Sequence, residues 1–185
     1  MKVGRNLKVI LSLAALLVAV QLFNSVTNNS LLQFGVLPRT VEGLLGIFIS
    51  PFVHASVFHL LGNLLPFVVL SWLVAIQGIA HYFKVVVMVS VVGGMLVWVF
   101  GRDAYHVGAS GLVFGFWAFL LANAWYQRSF LNLILATAAF LGYSGLVFGL
   151  LPSPGTSFES HIAGTIAGIA TAWFMRSKSP APIPA

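Results

Sequence analysis

Three groups of polar residues stand out within the long apolar stretches of the sequence: His54, His59 and Asn63; Ser110 within Gly108-Ala109-Ser110-Gly111; and His161, followed by Gly164 and Gly168. A serine hydroxyl is a weak nucleophile by itself, and an imidazole beside it can take its proton as the oxygen attacks a carbonyl. Ser110 and His161 are the candidates for that pair. The attack puts negative charge on the carbonyl oxygen, which needs donors already in place. His59 and Asn63 are four apart and share a helical face, so both can donate to it. The backbone N–H of Ser110, at a helix N-terminus, is a third donor. Gly164 and Gly168 form a small-xxx-small pair one turn below His161, and Gly111 and Gly115 repeat the pattern just after Ser110; such faces let helices approach closely. Taken singly, each residue has a structural reading: a serine bonded to its own helix, a histidine or asparagine bridging two helices. G-x-S-G alone is also common. The joint pattern, H-x4-H-x3-N with G-x-S-G and H-x2-G-x3-G, is what points to nucleophilic catalysis.

The elements that position these residues are expected to be membrane helices. Of 185 residues, 59% are apolar and 6% charged, against roughly 25% charged in a soluble domain. So few charges cannot cover a water-facing surface of this size, and a bilayer takes the place of water. The absence of cysteine excludes disulfides, thiolate catalysis and Cys-ligated metals, and nothing in the sequence calls for a cofactor or a metal. The net charge is +6, but its basic residues are scattered singly, which reads as membrane topology and not as nucleic-acid binding. No charged residue falls between Glu42 and Lys84, or within Val85 to Gly101, Ala104 to Gln127, Ser129 to Phe158 or Ser160 to Met175. Six spans are expected, at about Leu7 to Phe23, Val53 to Ile76, His81 to Phe100, Ser110 to Tyr126, Phe130 to Leu150 and Glu159 to Met175. The first, long for a signal-peptide core and lacking a good cleavage site after it, reads as an uncleaved helix. With the N-terminus in the cytoplasm, Lys2, Arg5, Lys8, Lys84, Arg128, Arg176 and Lys178 fall inside and only Arg39 and Arg102 outside, as the positive-inside rule requires. All three polar groups then lie near the external face. One domain, residues 1–178, is expected, followed by a short disordered Pro-rich tail at 179–185. No internal repeat suggests a duplicated transporter, and with no acid inside the spans beyond Glu159 at the start of the last one, a proton-relay channel has little to work with.

These motifs, from about Pro51 to Trp173, resemble the rhomboid family of intramembrane serine proteases. The resemblance implies a six-helix all-α membrane fold and hydrolysis of peptide bonds within or beside a substrate's transmembrane helix, with membrane proteins as substrates and lipid as surroundings. It makes Ser110 the nucleophile and His161 the general base, with His59 and Asn63 at the oxyanion site. His54 becomes a supporting neighbour, as do Gly108, Gly111, Gly164 and Gly168. Many bacterial relatives carry a tyrosine that stacks on the catalytic imidazole where this chain has Phe114, which keeps the stacking face and loses the hydroxyl. The loop Asn24 to Ser50 lacks the Trp-Arg pair of many members. The acids are Glu42, Asp103 and Glu159; Glu159, two before His161, points to a different side of the helix, Asp103 in the loop before Ser110 stays open as a partner, and a Ser-His dyad is the economical expectation. The loop Leu151 to Ser160, with its prolines and Gly155, reads as a movable cap. A bacterial inner membrane is the expected location. The alternative within the same fold is a non-catalytic protein that binds transmembrane helices.

Overall fold

The computed structural model describes residues 2–153 and 155–176. Seven α-helices follow in order: α1 (Lys2–Val26), α2 (Val41–Ile49), α3 (Val57–Ala75), α4 (Ile79–Phe100), α5 (Ser110–Gln127), α6 (Phe130–Tyr143) and α7 (Phe158–Met175). Among the described residues, the nearest thing to a strand is one antiparallel bridge between Val36 and His106. Gly4–Val26, Val57–Ala75, Ile79–Phe100 and Phe130–Leu150 are long and apolar enough to cross a membrane, and large apolar side chains such as Leu65, Phe130, Leu141 and Phe174 stand exposed on the outside. This is an integral membrane protein.

Helix α5 lies at the centre. Its residues are apolar nearly all round, the mark of a helix enclosed by others, and Phe116, Trp117, Phe119 and Leu120 are all buried. It touches α3, α4, α6 and, most extensively, α7. The buried positions of α7 are small: Ala163, Gly164, Ala167, Gly168, Thr171 and Ala172. A Cβ at Gly164 would fall 2.1 Å from the carbonyl oxygen of Gly111, and one at Gly168 would fall 2.1 Å from that of Gly115. The two helices therefore meet backbone to backbone.

Buried amides tie α1 along α3. Asn6 donates to the Ala75 carbonyl at 2.9 Å, and Asn24 to the His54 carbonyl at 3.1 Å. These contacts sit at opposite ends of both helices, which fixes them antiparallel.

The structure revises several expected boundaries. The span expected from Val53 begins at Val57, because the Ser56 hydroxyl caps α3 by accepting the His59 N–H at 3.1 Å and Pro51 sits in a separate 3₁₀ turn, Ser50–Phe52. His54 thus precedes α3 and is not part of it. The stretch Asn24 to Ser50, expected to be loop, contains a 3₁₀ turn at Ser30–Phe34 and helix α2. Thr40 caps α2 by accepting the Gly43 N–H at 3.1 Å, and Ile47 packs with Val36, Val97 and Ala163. The fifth expected span is α-helical only to Tyr143 and tightens into 3₁₀ geometry over Ser144–Leu150, where Gly145 and Gly149 weaken the α-helix. Lys178 and the Pro-rich tail lie outside the described residues.

Candidate active site

The turn into α5 is held from below. Gly108 donates its N–H to the Ser50 carbonyl at 2.9 Å, and Ala109 donates to Nε2 of His54 at 3.2 Å. His54 is fully buried. Burial and the neighbouring His59 push its pKa down to about 4, so the ring is neutral and free to accept at Nε2. His54 is the prop for the turn that presents Ser110.

His59, in the first turn of α3, has its Nδ1 3.4 Å from the Ala55 N–H, which donates to it. The hydrogen of the neutral ring is then on Nε2, which makes that nitrogen a donor. The ring lies over Gly108: a Cβ there would sit 2.7 Å from Cε1 and 2.9 Å from Nε2, and Gly108 has φ +116°. Gly108→Ala should therefore both strain the backbone and displace His59, costing about 1–3 kcal/mol of stability. A thermal unfolding comparison in detergent checks this. Asn63 donates one amide hydrogen to the His59 carbonyl at 2.8 Å, and among the described residues its second N–H and its oxygen make no hydrogen bond.

On α7, the imidazole of His161 stacks flat on Phe114, with ring centroids 4.2 Å apart and planes 5° from parallel. Its Nδ1 lies 2.7 Å from the Gly149 carbonyl. A carbonyl can only accept, so Nδ1 carries the hydrogen and Nε2 keeps its lone pair. The ring is therefore held in the tautomer a general base needs, by a main-chain oxygen. That partner has no sequence signature, and reading the sequence for side chains missed it.

His59, Asn63, Ser110, Phe114, Gly149 and His161 all line one cavity. Ser110 opens α5, so its N–H has no acceptor within the helix. Among the described residues the Ser110 hydroxyl forms no hydrogen bond, to His161 or otherwise; in empty catalytic sites this contact is commonly long and tightens with substrate. Among the described residues neither Asp103 nor Glu159 bonds His161: Asp103 pairs with Arg39 at the exposed surface, and Glu159 pairs with Arg102 at 3.4 Å. Among the described residues no group of three or more His, Asp or Glu is placed to hold a metal ion.

Residues 41–178 match the family model described as a Rhomboid domain. An uncharacterised protein of Mycobacterium leprae is 33% identical over 176 residues, covering 90% of this chain and 70% of that protein. A putative rhomboid protein of Acanthamoeba polyphaga mimivirus is 30% identical over 138 residues, covering 70% of this chain and 74% of that protein. The chloroplastic rhomboid-like protein 11 of Arabidopsis thaliana is 30% identical over 146 residues, covering 71% of this chain and 52% of that protein. The matched region takes in α2 to α7 and every residue on the wall of the cavity, and the chain belongs to the rhomboid family.

Proposed function

We propose that this chain is a serine endopeptidase that cleaves membrane-protein substrates within or beside their transmembrane segments, using Ser110 and His161 as a dyad. One observation carries the reading. The Gly149 carbonyl fixes the hydrogen of His161 on Nδ1, so Nε2 is a base on the same cavity wall as the one serine of the G-x-S-G turn. In the proposed reaction the Ser110 oxygen attacks the scissile carbonyl as His161 takes its proton. The Ser110 N–H, the His59 Nε2–H and the free N–H of Asn63 then hold the oxyanion. His161 returns the proton to the departing amine, and water, activated by the same histidine, hydrolyses the acyl-enzyme. The substrate helix must unwind locally first, since an intact helix commits its carbonyls to its own hydrogen bonds.

The same reading makes α1, α3, α4, α5, α6 and α7 six membrane spans with both termini in the cytoplasm of a bacterial inner membrane. The short helix α2 lies outside the count, and the cavity opens to the external face. The basic residues support this orientation.

The test uses purified protein in proteoliposomes with a transmembrane reporter and a fluorophosphonate probe. Reporter cleavage and covalent labelling are expected, and Ser110→Ala should abolish both. Binding of the reporter without cleavage or labelling would identify a non-catalytic helix-binding protein instead.

A further inference from the structure

The loop from α4 to α5, Gly101 to Ala109, also grips the opposite wall of the cavity. Thr156 and Ser157 are part of that wall, and each is held from this loop. Arg102 donates to the Thr156 carbonyl at 2.5 Å, and His106 Nδ1 lies 2.5 Å from the Ser157 hydroxyl. The other nitrogen of His106 is 3.1 Å from the Arg102 carbonyl, which can only accept. The ring hydrogen is therefore on Nε2, and Nδ1 must accept from Ser157. Having used its hydrogen there, Ser157 accepts from Ser160, 2.7 Å away. The chain of bonds has one direction: Ser160 to Ser157 to His106 to the Arg102 carbonyl.

Its two ends are held very differently. His106 is buried and fixed by two main-chain bonds with Val36, its N–H to the Val36 carbonyl at 2.9 Å and its carbonyl to the Val36 N–H at 3.0 Å. It lies two residues before Gly108. Ser157 and Ser160 flank the start of α7, and Ser160 immediately precedes His161. Among the described residues before Ser157, Leu151 donates to Phe148 at 3.2 Å and Thr156 to Ser153 at 3.3 Å, both local turns, and the Arg102 bond to the Thr156 carbonyl is the one tie to the α4–α5 loop. Burial pushes the His106 pKa down, with Arg102 adding to this and the Arg102 carbonyl and Glu159 opposing it, so the accepting form of the ring is the one the site favours.

We propose that His106 is a positioning residue that latches Thr156 and Ser157 to the loop leading into Ser110, so that breaking the His106–Ser157 bond opens the cavity. The latch rests on the proposed function only for its kinetic effect, because access to the cavity can be measured without catalysis. The chain has no cysteine, so Ser110→Cys supplies a single thiol whose modification by a water-soluble methanethiosulfonate reports opening. In that background, Ser157→Ala and His106→Phe should each speed modification about two- to tenfold, the range one hydrogen bond spans. Ser157→Thr keeps the hydroxyl and should restore the original rate. Equal rates in all variants, or a threonine variant as fast as the alanine one, overturn the latch. Should His106→Phe fail to fold, the Ser157 pair decides alone. In the chain that retains Ser110, Ser157→Ala should change KM for the reporter more than kcat; a wild-type chain that cleaves nothing defeats the proposed function, while the thiol rates still decide the latch.

Discussion

Replacing His161 by alanine should slow reporter cleavage by roughly 10⁴- to 10⁶-fold, and adding Ser110→Ala should cost almost nothing more. Groups that act as one unit are strongly non-additive, because removing either disables both. The size of the effect follows from how the proposed base is held. Stacking on Phe114 sets the plane of the His161 ring, and the Gly149 carbonyl sets its tautomer, two tasks that an acid performs in a triad. Steady-state cleavage in proteoliposomes measures His161→Ala, Ser110→Ala and the double variant side by side. Losses that multiply, or a His161→Ala protein that still cleaves at more than a hundredth of the original rate, would mean that this histidine is not the base.

Gly164→Val should destabilise the protein by about 3 kcal/mol or more and remove the proposed peptidase activity with it. The Cβ alone would come within 2.1 Å of the Gly111 carbonyl oxygen, a contact relieved only by moving one helix off the other. Overpacking of this kind typically costs 1–3 kcal/mol where side chains can yield, and here the neighbour is backbone. Even where the chain tolerates the change, Ser110 and His161 sit on the two helices being separated. A shift of about 1 Å between reacting groups is enough to lose about a hundredfold in rate. Gly142→Ala on α6 is the control, since a Cβ there meets nothing within 4 Å and alanine favours the helix. Unfolding in detergent, followed by circular dichroism, should separate the two variants clearly. A Gly164→Val protein as stable as the Gly142→Ala one would show that the close approach is not needed.

Much of this architecture could be read from residue order, and the parts that could not share a cause. Long charge-free runs announced the apolar helices, and the small-residue spacing at Gly111, Gly115, Gly164 and Gly168 announced the backbone contact of α5 with α7. The apolar Val53 drew the expected start of α3 earlier than the Ser56 cap sets it. Helix α2 was missed because nine residues are too few for a membrane span, and its stability comes from Ile47 packing on residues distant in sequence. The roles of Gly149 and His106 were equally hidden. One acts through a main-chain oxygen. The other meets Ser157 fifty-one positions away, and a lone histidine in a loop carries no sign of such a partner.

The backbone contact between α5 and α7 also governs how this protein can vary. Most sites in a membrane helix bundle exchange one apolar side chain for another, because lipid adapts to the new shape. At Gly164 and Gly168 there is no such medium, only a carbonyl oxygen 2.1 Å from where the first added carbon would go. In a saturation library selected for folded protein, those positions should accept the fewest residues of any on α7. The strictest requirement on the sequence there is for the absence of a side chain.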